Sequence, residues 1–220
     1  MVFISVLSAQ AQGTFYNLNF ESANLTPIPA GQYGGDVPIS SALPNWSASI
    51  SGVPVTQVLQ NNYTLGAASI DILGPSWNQI NPGIIDGNYT VFLQSNPVDS
   101  ASIFQSGTIQ ANAESLEFES ADILGTGSLT VSFAGNTLSP VLLSSGISPS
   151  GQPYDLYGAN IAPYANHMGE LEFTVPTTSP YYVELDDISF SQTVVPEPSI
   201  VALTAIGGLF FGARKWLARQ

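Results

Sequence analysis

The side chains able to do chemistry in this 220-residue chain are almost all carboxylates. Sixteen Asp and Glu stand against three Lys and Arg, one His and no Cys. Two acidic groupings stand out. The first is Glu21 near the start with Asp186-Asp187 near the end. In Tyr181-Tyr-Val-Glu-Leu-Asp-Asp-Ile-Ser-Phe190 the apolar alternation slips by one residue across the two aspartates. A β-bulge there would re-aim a carboxylate, and calcium is a cation that takes carboxylate and carbonyl oxygens. The second grouping is Glu114, Glu117 and Glu119. On a strand, Glu117 and Glu119 fall on one face opposite Leu116 and Phe118, the pattern of a solvated strand face rather than of a glycosidase pair.

Nucleophilic chemistry finds little support. His167 is the single histidine, in Ala-Asn-His-Met-Gly, and no Gly-x-Ser-x-Gly elbow accompanies it. That sequence reads as a solvent-facing turn. No base lies near the carboxylates to stabilise a developing negative charge. Sugar recognition needs an aromatic platform with amide or hydroxyl partners. Trp77, in a polar loop with Asn78, Gln79 and Asn81, is the aromatic to test for ligand contact, its other reading being a packed loop anchor, whereas Trp46 after Leu43-Pro44 reads as core.

Short strands must position these groups. Tyr89–Gln94, Leu116–Glu119, Ser128–Phe133, Gly169–Val175 and Tyr181–Leu185 alternate or are rich in β-branched and aromatic residues. Turn clusters such as Gly74-Pro75, Asp86-Gly87-Asn88 and Gly135-Asn136 punctuate them. About ten strands with no helix before residue 199 predict an all-β, antiparallel jelly-roll β-sandwich. No internal repeat argues for a solenoid.

The charges are segregated. Arg214, Lys215 and Arg219 are the only Lys and Arg, and residues 1–213 carry every Asp and Glu. With a net charge of −13, nucleic acid is excluded as a partner, because no phosphate can be neutralised. Residues 199–213 are uncharged and predict a C-terminal transmembrane helix that reaches membrane length if the basic residues snorkel. The basic flank places its end in the cytoplasm and the bulk of the chain outside. Residues 2–11 (VFISVLSAQA) look like the back half of a signal peptide, with a cleavage pattern at Ala9-Gln10-Ala11. The expected organisation is a signal remnant at 1–11, a sandwich ectodomain at 12–192, a Pro-rich spacer at 193–198 and a hydrophobic helix with basic tail at 199–220.

Val195-Pro196-Glu197-Pro198, the apolar stretch and the Arg214-Lys215 cluster together resemble the PEP-CTERM sorting signal of Gram-negative bacteria, a C-terminal domain also labelled after ice-binding proteins. The resemblance covers about a ninth of the chain. It implies an exosortase-type partner, transient residence in the inner membrane and delivery to the cell surface or matrix, often alongside exopolysaccharide. Asn17-Leu18-Asn19-Phe20-Glu21, Leu43-Pro44-Asn45-Trp46 and Glu184-Leu185-Asp186-Asp187-Ile188-Ser189-Phe190 are similar to segments of carbohydrate-binding-module-like jelly rolls. That second likeness implies a structural calcium near Glu21, Asp186 and Asp187. The reading is an exported, non-enzymatic protein of structural or adhesive role, associated with polysaccharide. The alternatives are a carbohydrate-binding module and a surface hydrolase acting on glycans.

Overall fold

In the computed structural model, residues 13–79, 82–122, 129–177 and 181–195 are described. The signal-like segment, Pro196, Glu197, Pro198, Arg214, Lys215 and the expected helix lie outside them. No helix among the described residues is long and apolar enough to cross a membrane.

The described residues form fourteen strands: β1 Asp36–Pro38, β2 Ser47–Ile50, β3 Val53–Val55, β4 Gln57–Gln60, β5 Ser69–Leu73, β6 Thr90–Ser95 and β7 Ala101–Thr108, then β8 Ser115–Asp122, β9 Thr130–Phe133, β10 Asn136–Thr137, β11 Val141–Ile147, β12 Pro153–Asn160, β13 Met168–Val175 and β14 Tyr181–Ser191. A four-residue helix, α1 Ile39–Ala42, and a 3-10 turn at Ala162–Tyr164 interrupt them. Both are too short for helical periodicity to reveal, as are the two- and three-residue strands.

Two sheets pack face to face. One has eight strands in the order β1-β4-β5-β6-β14-β8-β12-β11, the other six in the order β10-β9-β13-β7-β2-β3. Every pairing is antiparallel except β4 with β5, which run parallel. The interior follows from strand alternation: Ile70, Ile72, Val91, Leu93, Val183 and Leu185 from the large sheet meet Ala48, Ile103, Val131, Leu171 and Phe173 from the small one. Phe173 ties the sheets together, 5.3 Å edge-on from Phe118 and 6.4 Å from Trp46. Trp46 is core as expected, and its indole N–H donates to the Asn17 carbonyl at 2.9 Å.

The large sheet is unusual at its centre. All residues of β5 and β6 are buried, including those on the face turned away from the sandwich interior. The connection between these two strands folds back over that outer face. There Leu73, Trp77 and Phe92 form a second small core, with Tyr63, Ile84 and Tyr182 packed against it. An antiparallel sheet that keeps one face wet shows clean alternation; here the loop removes water from both faces.

The anticipated bulge is present. Across β14 and β8, Asp186 pairs with Glu119 and Ser189 with Glu117, so two residues of β14 oppose Phe118 alone. Asp187 takes a left-handed φ of 39°. The bulge lets Leu185 and Ile188 both face the core although their parities differ.

Candidate functional site

Glu21, Asp186 and Glu184 act together on one loop. Glu21 Oε1 accepts from the backbone N–H of Asn88 at 2.7 Å and of Tyr89 at 2.8 Å, and Oε2 accepts from the Asn88 side-chain amide at 2.9 Å. Gly87, at φ 57°, makes this approach feasible, since a Cβ there would stand 2.5 Å from Glu21 Oε1. Asp186 Oδ2 accepts from the Thr90 hydroxyl at 2.5 Å and the Asp86 N–H at 3.2 Å, while Oδ1 accepts from its neighbour Asp187 at 2.8 Å. Glu184 Oε1 accepts from the Gly83 N–H at 2.5 Å. With no Lys or Arg before residue 214, backbone N–H groups supply the compensation that those side chains normally give.

This corrects the calcium expectation. The oxygens of Glu21 and Asp186 already accept protein donors, and Asp187 is exposed on the bulge. No group of three or more His, Cys, Asp or Glu among the described residues could hold a metal ion. The three carboxylates therefore do not fit a calcium ion as a set. The Ile188 N–H donates to the Leu18 carbonyl, which sets the first segment beside β14.

Burial rather than solvent governs the acids of the outer sheet face. Glu184 is fully buried, and burial pushes its carboxyl up to about 8 against the Gly83 hydrogen bond that favours ionisation. Asp71 and Asp186 are raised well above the usual carboxylate range, in both cases chiefly by burial. Glu119 is raised to about 7 by burial first, then by the charges of Asp187 and Asp86, with the Tyr154 hydroxyl opposing. The expected solvated face at Glu117 and Glu119 is thus half-buried. The residues that cover it come from far along the chain, and β8 alone carries no sign of them.

Trp77 is the packed loop anchor, not the ligand platform, of its two readings. It is only 9% exposed, and its indole N–H donates to the Pro82 carbonyl at 2.8 Å. The accessible ring is Tyr33, 56% exposed. Its centroid lies 6.0 Å from both Tyr63 and Trp77, which are themselves 6.2 Å apart, all in edge-on contacts. The Tyr63 phenol is held above its ordinary value first by its hydrogen bond with the Tyr33 hydroxyl. The Gln79 amide donates to that same hydroxyl at 3.1 Å, and Asn78 is exposed beside Gly31. Trp77 and Tyr63 therefore brace an exposed aromatic that carries amide neighbours. The missed signal was Gly31-Gln-Tyr-Gly-Gly35, a lone aromatic between glycines. His167 is exposed on a turn, as expected, with its ring Nδ1 against the Ala165 carbonyl at 3.0 Å.

Comparison with known proteins yields no matching family model and no matching curated protein. Among solved structures, the chain is similar to the carbohydrate-binding module TmCBM61 in complex with β-1,4-galactotriose: 15% identity, TM-score 0.45, 83% of this chain and 99% of that one. It is also similar to the family 11 carbohydrate-binding module of Clostridium thermocellum in complex with a β-1,3-1,4-mixed-linked tetrasaccharide, at 7% identity and TM-score 0.40, covering 76% and 100%. A third likeness is to the enzymatically active domain of bacteriophage CBA120 tailspike protein 4, at 17% identity and TM-score 0.39, covering 67% and 19%. These values are too low to transfer a ligand or an activity; the described residues themselves form an all-β sandwich of two sheets with almost no helix.

Proposed function

We propose that this chain is an exported, non-catalytic module that binds a neutral glycan on the Tyr33 patch and so adheres to polysaccharide at the cell surface. The observation that carries the reading is the exposed Tyr33 ring, stiffened by Tyr63 and Trp77 and flanked by the Gln79 and Asn78 amides. The C–H face of a pyranose packs on such a ring, and its hydroxyls exchange hydrogen bonds with amides. The absence of any Lys or Arg in residues 1–213 favours an uncharged polymer over an acidic one. Titration of the full chain in mild detergent with β-linked galactan, glucan and mannan tests this. Tyr33→Ala is expected to lower affinity at least tenfold with an unchanged melting temperature, and Tyr33→Phe to retain most of it. Silence of the unaltered protein toward all three polymers would end the reading.

Export and surface delivery rest on the Val195-Pro196-Glu197-Pro198 signal with Arg214 and Lys215, processed by an exosortase-type enzyme after transient insertion of the apolar segment in the inner membrane. Val195 is buried against the sandwich, at the position where a Cβ on Gly158 would lie 3.0 Å from it. The folded domain therefore extends to the edge of the motif. Deletion of Pro196, Glu197 and Pro198 is expected to hold the protein in the membrane fraction. Unaltered surface delivery after that deletion removes the sorting assignment.

A further inference from the structure

A cavity of about 360 Å³ is lined by segments that continue into the aromatic patch, and it deepens the glycan reading, on which it rests. Its walls include Ala30, Gln60, Asn61, Pro75, Ser76 and Tyr89, and none of its lining residues is charged. The patch and the cavity are built from the same three segments. The first supplies Ala30 to the cavity and Tyr33 to the patch, the second Asn61 and Tyr63, the third Ser76 and Trp77.

The cavity is held in shape by the polar groups of its own walls. Asn61 is fully buried with a left-handed φ of 47°. Its Oδ1 accepts from the Gly74 N–H at 2.6 Å, and its Nδ2 donates to the Ser76 hydroxyl at 2.7 Å. Gln60 donates from Nε2 to the Thr26 carbonyl at 3.1 Å, which fastens the first segment across the opening. The Ser76 hydroxyl, having accepted from Asn61, keeps its proton to donate. Tyr89 adds a partly buried ring to the wall. A volume near the lower end of the range for small-molecule sites is enough for a sugar unit or two.

We infer that this cavity receives the terminal unit of a neutral glycan while the following units stack along Tyr33, so that the protein recognises chain ends rather than chain interiors. Uncharged walls in a strongly acidic protein suit neutral pyranoses and disfavour terminal uronates. Adhesion would then scale with the number of polysaccharide ends.

The test titrates the full chain in mild detergent with β-linked galacto-, gluco- and manno-oligosaccharides of one to six units, and with the parent polymers. For the series that binds, the trimer should match the polymer within about threefold per chain, with one bound protein per polymer chain. A bulky cap on one of the two glycan ends should abolish binding, and the same cap on the other end should not. Ala30→Leu, at an exposed position that tolerates the added bulk, should lower affinity for trimer and polymer at least tenfold. Many proteins bound along each polymer, insensitive to end caps and to Ala30→Leu but lost with Tyr33→Ala, would overturn end recognition and leave glycan binding standing. No binding to any probe would overturn both.

Discussion

Raising the pH from about 5 to about 9 is expected to destabilise this protein by several kcal/mol, the reverse of ordinary acid denaturation. The folded state holds protons on Glu184, Glu119, Asp71 and Asp186 more tightly than the unfolded chain does, because burial raises each carboxyl. A raised folded pKa gives stability that is complete below the unfolded value and lost as pH climbs through the folded one. For Glu184 that window runs from 4.5 to about 8. At 1.36 kcal/mol per unit, this one group accounts for on the order of 4 kcal/mol, or on the order of 10 °C in melting temperature. Melting curves at intervals of one pH unit check the slope. Glu184→Gln should flatten it, melting above the unaltered protein at pH 9, because the amide stays neutral while its oxygen still accepts from Gly83. A melting temperature that holds constant or rises over that range would contradict the assignment.

The second large effect concerns Trp77. Trp77→Ala should cost about 3–5 kcal/mol, the usual range for emptying a buried aromatic position. The loss falls on the small outer core of Leu73, Phe92, Tyr63 and Tyr182, not on the sandwich interior. Two readouts should therefore move together: the urea midpoint and the affinity for glycan, since Tyr33 loses a ring that braces it. Trp77→Phe keeps an aromatic but forfeits the N–H bond to Pro82, at about 1 kcal/mol. A change under about 1 kcal/mol for Trp77→Ala would mean that the outer core does not stabilise the fold.

Much of this molecule is legible along the chain. The alternation in Gly169–Val175 and Tyr181–Leu185 placed β13 and β14 to within a residue at their starts, because strand periodicity depends only on neighbours in sequence. The one-residue slip at Asp186-Asp187 announced the bulge for the same reason. His167 was legible as a turn from its Asn-His-Met-Gly surroundings. The outer face of the large sheet was not. Glu117 and Glu119 alternate with Leu116 and Phe118 as a wet face would, and the local pattern says nothing of cover arriving from β14 and the 82–89 segment. The polar neighbours of Trp77 left its ring open to two readings; it turns inward, and Tyr33, more than forty positions earlier, takes the surface.

By itself the sequence determined the class of fold and the segregation of charge, since composition and periodicity are additive along a chain. It also determined that the carboxylates of residues 1–213 must find partners other than Lys or Arg. Only the tertiary structure decided what those partners are. Glu21, Glu184 and Asp186 grip backbone N–H groups between Gly83 and Tyr89, contacts that span from 67 to 101 residues. Only the tertiary structure, too, brought Ala30, Asn61 and Ser76 around one cavity. Sites of this kind arise from the crossing of distant segments. Three loops of unremarkable composition line this cavity through the distances between them.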